Sequence, residues 1–388
     1  MSPTAPAASA PAPSKPAAMN TGRVFNFSAG PGTLPEDVLK QVQQDVWNIQ
    51  GTGIGILEHS HRGKLVDKVF AECEADIRSL ASIPANYKIL FLTGGASAQN
   101  HMIPMNWMTP GKTGDYMVTG NWSDQTWKQA QKLSGKPGFG TAHLAVTTAD
   151  KNHSYIPADD AIKCTPGAAF IHYCSNNTLY GTEWFRIPKT PAGIPLICDA
   201  SSHMYSRPID ISNYAMVYAG AQKNLGPAGV TLCIIREDFA ETGSKDIPDL
   251  LQYRKFIPEL SRPNTPPVFA VYVMGLCAKW IIKSGGLAAM QKHNEAKAKY
   301  IYDAIDAASS FYAGHAQKDA RSLMNITFRL PSDELTDKFV KEAAAQGMDG
   351  LKGHRNVGGI RASVYNAFPA AGCKALGEFM REFARKNG

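Results

Sequence analysis

Three features that would place this chain in other classes of protein are missing from its sequence. It has no apolar run long enough for a membrane-spanning helix. Its formal net charge of +7 is spread over 388 residues, with neither a basic stripe nor a nucleic-acid-binding module. Charged residues make up only 19% of the chain, too few for a disordered protein. We therefore expect a globular protein that binds neither membranes nor nucleic acid, with a mild positive charge that suits a small anionic substrate.

Paired cysteines are also absent. The chain has seven cysteines, an odd number, and none forms a C-x-x-C pair; Cys174, Cys198 and Cys233 lie in apolar runs typical of strands. We interpret the cysteines as buried side chains in a reducing compartment, which predicts a cytoplasmic protein without disulfides. His59 and His61 form an H-x-H pair, but no further Cys or His cluster stands nearby, so we expect no metal.

The first twenty residues are mostly Ala, Pro and Ser, with no apolar core and no Arg. We expect residues 1–22 to form a disordered leader rather than an organelle-targeting peptide. The folded sequence then begins near Arg23. Its length exceeds what one compact core usually serves, and apolar residues make up 44% of the chain, so two domains with sizeable cores are predicted.

Beyond the leader, short apolar strands alternate with helices. The predicted strands cover 87–92, 116–119, 168–173, 195–198, 216–218 and 230–235. Continuous apolar runs at crossover spacing predict an α/β fold with a mostly parallel sheet that is covered on both faces. Ligands on such sheets bind where loops leave the carboxyl ends of the strands.

The pattern changes after the helix at 268–284, which ends at Gly285 and Gly286. A long helix at 287–308, strands at 322–330 and 360–364, a polar helix at 333–346 and a C-terminal helix follow. We expect residues 35–284 to form a large α/β domain, and residues 23–34 with 285–388 to form a smaller α+β domain.

A single lysine follows one of the predicted strands. Residues 216–229 read MVYAGAQKNLGPAG, so Lys223 lies between an apolar strand and a turn rich in Gly and Pro. A lysine at the mouth of a sheet can be partly desolvated, which lowers its pKa and makes its amine nucleophilic towards a carbonyl. An isolated loop lysine is more often simply exposed, so the assignment depends on the neighbouring motifs.

Two further motifs support a cofactor site. The strand at 195–198 leads directly into Asp199. A buried carboxylate there needs a cationic partner, and a protonated pyridine nitrogen is such a partner. The loop LTGGASAQ at 92–99 opens a helix whose first N–H groups can bind a phosphate. It does not match the Walker pattern, and the glycines of 51–55 have no βαβ setting, so we expect no nicotinamide site.

Together these motifs resemble the class V aminotransferases of PLP (pyridoxal phosphate) fold type I, and most closely the branch that acts on phosphoserine. The resemblance runs from Phe25 to the C-terminus. Its most specific pieces are SHRGK at 60–64, AGAQKNLGP at 219–227, NTPP at 264–267 and GHRNVGGIRAS at 353–363. It implies a large domain with a mostly parallel, seven-stranded-type sheet, a smaller α+β domain, and pyridoxal 5'-phosphate as the cofactor.

The resemblance also implies a reaction: amino transfer between L-glutamate and 3-phosphohydroxypyruvate, giving O-phospho-L-serine and 2-oxoglutarate for serine biosynthesis. A further candidate substrate is 4-phosphohydroxythreonine. In this family the lysine that matches Lys223 holds the cofactor covalently and shuttles a proton between the substrate α-carbon and the cofactor. The counterpart of Asp199 holds the pyridine nitrogen, and that of Trp122 stacks on the ring.

Further cofactor contacts follow from the same resemblance. Thr178 would bond near the ring hydroxyl. The implied ligands of the cofactor phosphate are Ala96, Ser97, Gln222 and, from the other subunit of a homodimer with shared sites, Asn264 and Thr265. Bacterial members often carry Arg where Ser97 stands, so here a hydroxyl and backbone donors would replace a guanidinium.

The resemblance divides the substrate groups between two pockets. Arg361 would bind the α-carboxylate that both substrates share, in a bidentate fork. Two pairs, His61 with Arg62 and His354 with Arg355, would meet at the distal group. Protonated histidines there would favour a phosphate over a carboxylate.

Three alternatives differ in chemistry. A cysteine desulfurase-like enzyme or lyase of the same fold type needs a nucleophilic cysteine on a flexible loop, and no cysteine here matches one. A serine–glyoxylate-type aminotransferase is the second alternative. The third, a non-enzymatic PLP-carrying or scaffolding protein, would be expected to have lost Lys223, Asp199 or the substrate arginines, and all of these are present.

Overall fold

The computed structural model describes residues 22–388. The predicted leader lies outside the described residues, apart from its last residue. Within the described part, the strands are β1 (Phe25–Asn26), β2 (Tyr87–Leu92), β3 (Thr113–Val118), β4 (Thr141–Thr147), β5 (Phe170–Cys174), β6 (Leu196–Asp199), β7 (Met216–Gly220), β8 (Thr231–Arg236), β9 (Ala313–Gly314), β10 (Asn325–Arg329), β11 (Met348–Asp349) and β12 (Ile360–Ser363).

The α-helices divide into those before and those after the turn at Gly285. The earlier ones are α1 (Glu36–Asn48), α2 (Lys64–Leu80), α3 (Gly95–Trp107), α4 (Asn121–Leu133), α5 (Glu237–Glu241), α6 (Tyr253–Phe256) and α7 (Val268–Lys283). The later ones are α8 (Gly286–Ala307), α9 (Asp333–Ala345) and α10 (Ala370–Asn387).

A sheet of seven strands in the order β2-β8-β7-β6-β5-β3-β4 forms the centre of the molecule. Strands β4, β3, β5, β6 and β7 run parallel, and β8 runs antiparallel to both of its neighbours. The predicted α/β fold with a mostly parallel sheet is therefore confirmed. The sequence pattern missed β4, because this edge strand buries only Ala145 fully and has no continuous apolar run.

Apolar side chains cover both faces of this sheet. Val217 of β7 points into a cluster that includes α2 and α7, whereas its neighbours Met216 and Tyr218 point into a cluster on the opposite face. A separate cluster joins β1, β10 and β12 to α8 and α10. This separate core supports the proposed division into a large domain and a smaller one.

The parallel strands bring their carboxyl ends to one edge of the sheet. Asp199, the last residue of β6, lies opposite Cys174 of β5 and Tyr218 of β7. β7 ends at Gly220, so Lys223 lies in the loop immediately beyond this edge. The fold therefore places the acid and the lysine side by side, where a doubly covered sheet binds its ligands.

No single helix in residues 22–388 meets the length and hydropathy expected of a membrane span. Helices α7 and α8, with an 84° bend between them, meet that test only as a pair.

Candidate active site

A cavity of about 330 Å³ opens at the carboxyl edge of the central sheet. The predicted site residues that line it are Ala96, Ser97, Trp122, Thr178, Asp199, Gln222, Lys223, His354 and Arg361. The cavity also has walls that the sequence did not predict, namely Ala29, Gly30, Gly95, Asn100, Leu179 and Ser201. Residues from both ends of the chain therefore meet at one site.

Lys223 is held by a tight turn after β7. The amides of Leu225 and Gly226 both donate to the Ala221 carbonyl, which folds the loop back on itself. The lysine is only 9% exposed. Its Nζ lies 2.8 Å from Thr178 Oγ1 and 2.7 Å from the Oγ of Ser202, which is also buried. Burial lowers the pKa of the Lys223 amine, while the nearby Asp199 carboxylate acts in the opposite direction. The turn thus presents a partly desolvated amine to the cavity.

Asp199 is a buried carboxylate that acts electrostatically on Lys223 but forms no ion pair with it. It is 5% exposed, and its Oδ1 accepts a hydrogen bond of 2.9 Å from the Ser201 amide. No Lys, Arg or His in the described part of the chain forms an ion pair with it, although its side chain lines the cavity. A buried charge that lacks a partner is costly, so this wall of the cavity is suited to a cationic group of a ligand.

The first turn of α3 forms an anion-binding wall. The helix starts after Gly94, whose φ of +85° is readily adopted only by glycine. The first intrahelical bond runs from Ala98 N to Gly94 O, so the N–H groups of residues 95–97 have no intrahelical acceptor. Gly95, Ala96 and Ser97 all line the cavity, and the helix dipole adds to their attraction for a phosphate.

Trp122 lies in the first turn of α4 and is 37% exposed, beside the cavity. The preceding Gly120 allows a close approach, since a Cβ there would lie 1.7 Å from Asn177 Oδ1. Asn177 Nδ2 donates to Thr119 O at 2.5 Å and to Thr182 Oγ1 at 2.8 Å. The Trp122 loop is thereby clamped to the loop that carries Thr178.

Arg361 and His354 approach the cavity from the smaller domain. Arg361 lies on β12; its Nε is buried without a hydrogen-bond partner, and burial lowers the pKa of its guanidinium. It forms no ion pair with any carboxylate of residues 22–388. Desolvation, followed by the charges of Arg361 and Arg355, lowers the pKa of the His354 imidazole. Burial and the two arginines therefore work against the protonated His354 that we expected.

The remaining predicted residues lie away from this cavity in a single chain. His61 and Arg62 line a second pocket, together with Arg262. Asn264 and Thr265 are exposed, and Thr265 borders a third pocket that also includes His61. Arg355 is exposed beside His354 and does not line the cavity. One chain alone therefore does not bring the two His–Arg pairs together.

Sequence reasoning missed three groups of residues. Ser202 follows Asp199 within a run of small polar residues, which was a usable signal. Asn100 lies one helical turn after Ser97 and so shares its side of α3. This helical spacing could have identified Asn100 from the sequence. Ala29 and Gly30 had no sequence signal, because they reach the site through long-range bonds: Tyr365 OH donates to Ala29 O, and Gly32 N donates to Gln222 O.

No group of three or more His, Cys, Asp or Glu side chains that could hold an ion occurs in residues 22–388. The Nε2 of His59, from the H-x-H pair, contacts Thr52 Oγ1 instead.

The chain is similar to proteins of one known family, both in sequence and in structure. The family model for aminotransferase class-V matches residues 24–376. A phosphoserine aminotransferase from Herpetosiphon aurantiacus is 46% identical over 365 residues, which is 94% of this chain and 99% of that protein. The crystal structure of phosphoserine aminotransferase from Bacillus circulans superposes with a TM-score of 0.91 at 44% identity, covering 94% of this chain and 99% of the other. A PLP-bound phosphoserine aminotransferase from Trichomonas vaginalis has a TM-score of 0.88 at 37% identity, covering 92% of this chain and 100% of the other.

Proposed function

Since the chain belongs to the class-V aminotransferase family, we propose that it transfers an amino group between L-glutamate and 3-phosphohydroxypyruvate, giving O-phospho-L-serine and 2-oxoglutarate. This is the reaction of phosphoserine aminotransferases, and the cofactor is pyridoxal 5'-phosphate. One observation carries the proposal: the buried amine of Lys223 and the unpaired carboxylate of Asp199 face the same cavity.

The donor set of the cavity fits this cofactor. Asp199 lacks a cation and would hold the pyridine nitrogen, and the free N–H groups at the start of α3 would hold the phosphate. Trp122 offers a flat face for the ring, and Lys223 offers the amine for covalent attachment. When bound, the cofactor withdraws electrons from the substrate α-carbon.

The residues of the chain perform the remaining chemistry. The Lys223 Nζ is in a position to take a proton from the substrate α-carbon and to deliver it to the cofactor side of the cavity, because burial favours its neutral form. The unpaired Arg361 guanidinium binds the α-carboxylate in a bidentate fork, which orients the α-carbon. Both side chains border one cavity, so the carboxylate and the proton acceptor are positioned together.

Selectivity for the distal phosphate is assigned to the His–Arg pairs. His354 reaches the cavity with Arg355 beside it. Partial burial and two arginines lower the pKa of His354, so the approach of a phosphate dianion should raise that pKa and strengthen the contact. We assign His61 and Arg62 to the same distal group in the neighbouring subunit's site.

A homodimer with shared sites is therefore part of the proposal. Two features support it. The last turn of α1 and the loop that follows it expose large apolar side chains, with Trp47 86% exposed and Leu57 60% exposed. The implied phosphate ligands Asn264 and Thr265 are exposed and are not used by the cavity of their own chain.

Subunit mixing tests the shared sites. Lys223→Ala and the double variant Asn264→Ala/Thr265→Ala should each have low activity alone. If each site combines Lys223 of one chain with Asn264 and Thr265 of the other, mixed dimers contain one intact site, and activity should return on mixing. An active monomer in sedimentation, or no recovery in verified mixed dimers, would refute the shared arrangement.

The alternative cysteine chemistry finds no support in the structure. None of the seven cysteines lines the cavity, and burial raises the pKa of the nearby Cys174 well above its ordinary value. All seven are free thiols.

The proposed reaction is tested with purified protein, glutamate and a panel of keto acids that includes 3-phosphohydroxypyruvate, 4-phosphohydroxythreonine's keto precursor, glyoxylate and pyruvate. We expect 3-phosphohydroxypyruvate to have the highest kcat/KM. In single-turnover measurements Arg361→Ala should slow both half-reactions alike, whereas His354→Ala and Arg355→Ala should slow the phosphoserine half-reaction more. A preference for glyoxylate would overturn the phosphoserine assignment and favour the serine–glyoxylate type.

A further inference from the structure

Lys223 shares its hydrogen bonds with a residue to which nothing so far gives a role. Its Nζ lies 2.8 Å from Thr178 Oγ1 and 2.7 Å from Ser202 Oγ, and the two hydroxyl oxygens lie 2.5 Å apart. The three polar atoms form a triangle in which each contacts the other two. All three side chains are buried, so water does not compete freely for these bonds.

The triangle matches a neutral amine. A neutral amine has N–H donors and one lone pair, and each hydroxyl has one O–H and can accept. The three groups can therefore close a ring in which each donates once and accepts once. An ammonium has no lone pair, so it would break this ring and push one hydroxyl proton outwards. Burial, which lowers the pKa of Lys223, favours the same neutral form.

Ser202 is held in place independently of its hydroxyl. Its carbonyl accepts a bond of 3.2 Å from the Nδ2 of Asn224, the residue after Lys223. Asn224 Oδ1 in turn accepts from the Asn366 amide at 3.0 Å. The Ser202 and Lys223 loops are thus joined at two points, which fixes the distance between hydroxyl and amine.

We propose that Ser202 is a further catalytic residue, whose hydroxyl holds the Lys223 amine in position whenever that amine is not covalently engaged. The proposal rests on the proposed function. The single Thr178 proton cannot serve both the amine and the cofactor ring, so when Thr178 turns to the ring, Ser202 remains for the amine.

The proton balance assigns a second task to Ser202. When Nζ takes the α-proton, the amine becomes an ammonium, and no other group gains or loses a proton. The ammonium then donates to Ser202 and Thr178 and has a further N–H for the substrate. The proton therefore stays on Nζ until Lys223 passes it on, and the hydroxyls stay neutral.

The test compares Ser202→Ala and the volume-conserving Ser202→Cys with a matched control, Ser206→Ala. Ser206 is a buried serine of the same turn, and its hydroxyl bonds only to the His203 carbonyl, at 2.7 Å. Three quantities are measured on the full-length protein: the rate of covalent attachment of pyridoxal phosphate, the affinity for pyridoxamine phosphate, and the isotope effect with α-deuterated glutamate. Pyridoxamine phosphate carries an amine instead of the aldehyde, so it cannot attach to Lys223.

We expect both Ser202 variants to slow attachment by roughly 100-fold, the loss that a misplacement of about 1 Å can cause. Pyridoxamine phosphate affinity should stay within about twofold, because that ligand does not need the lysine. The isotope effect should rise, since proton transfer at Nζ becomes slower. Ser206→Ala should match the parent protein in all three.

Two results would overturn the proposal. Parent-like attachment rates in both Ser202 variants would show that the hydroxyl does not hold the amine. An equal loss of attachment rate and pyridoxamine phosphate affinity would show that Ser202 only shapes the cavity. If the parent protein itself fails to transaminate glutamate, the proposed function fails, but attachment rate and pyridoxamine phosphate affinity still decide the role of Ser202.

Discussion

Two buried lysines in this molecule have opposite surroundings. Lys297, on α8, is fully buried, and its Nζ donates to the carbonyls of Val364 at 3.0 Å, Tyr365 at 2.6 Å and Asn366 at 3.3 Å. Lys223 instead contacts two hydroxyls beside a cavity. Neither lysine forms an ion pair with a carboxylate in residues 22–388. Comparing the two lysines therefore separates the effect of burial on lysine reactivity from the effect of the hydrogen-bond partners.

Burial alone does not mark a reactive lysine. It lowers the pKa of both amines, that of Lys297 to about 7. A carbonyl only accepts, so three carbonyls saturate an ammonium and oppose its deprotonation, whereas a hydroxyl can also donate to a neutral amine. Lys297 is fully buried and bonds only to backbone carbonyls within residues 22–388, which is typical of a structural role. The reactive lysine is recognised by rotatable partners and space for a ligand.

The two lysines are nevertheless connected. Lys297 holds the backbone at 364–366, and the Asn366 amide donates to Asn224, next to Lys223. Lys297 thus supports the loop of the reactive lysine from the smaller domain. The following changes test how far the roles of the two lysines are separate.

The largest expected effect is that of Lys223→Met. Without the amine there is no covalent cofactor and no proton carrier at the α-carbon, so kcat/KM should fall by at least roughly 10³-fold. Borohydride reduction followed by peptide mapping of the parent protein should label Lys223. A label on Lys297 or any other lysine would show that Lys223 is not the lysine that binds the cofactor covalently.

Asp199→Asn should have the next largest effect. The amide cannot stabilise a protonated pyridine nitrogen, so we expect kcat to fall by roughly 10²-fold while cofactor is retained. Lys297 has no such acid beside it. Turnover assays together with absorbance of the bound cofactor check this, and near-normal turnover would contradict the role of Asp199.

Lys297→Met should change stability more than catalysis. Since the pKa of Lys297 is near 7 when folded and about 10.4 when unfolded, the unfolded state binds more protons between these values. The contribution of Lys297 to the free energy of unfolding is therefore fully present above about pH 10.4 and declines as the pH falls towards 7. Relative to Lys297→Met, the parent should gain up to about 1.4 kcal/mol per pH unit in that window.

Urea unfolding at several pH values measures this difference. The titratable groups that interact with Lys297 are His293 on its own helix and Cys373 on α10. Both remain in the variant, so their direct titration largely cancels in the comparison. Catalytic activity should stay within about tenfold of the parent at pH 8, because Lys297 reaches the site only indirectly, through the backbone at 364–366. A pH-independent difference would show that Lys297 does not titrate between the folded and unfolded states.

The smallest effect is expected for Lys299→Met, the matched control on the same helix. Lys299 is exposed and pairs with Asp303 at 2.7 Å, an i,i+4 contact. Such surface pairs contribute little, so stability should change by less than about 0.5 kcal/mol at every pH. A change in the free energy of unfolding as large as that of Lys297→Met would mean that any substitution on α8 destabilises the protein, whether or not the lysine is buried.

The sequence by itself determined the α/β fold, Lys223, Asp199 and the glycine-rich start of α3. These are local patterns. An apolar strand followed by a polar or charged residue predicts that this residue lies at the carboxyl edge of a sheet. The edge strand β4 escaped because its sequence has no continuous apolar run.

Only the tertiary structure decided which partners surround those residues. Thr178, Ser202 and Lys223 come from three separate loops, and Ala29 joins them from the start of the folded chain. Packing also decides that His354 lies near Arg355 and Arg361. It likewise decides that His61 lines a different pocket of the same chain. Contacts between residues distant in sequence depend on how elements pack, and no local pattern records that.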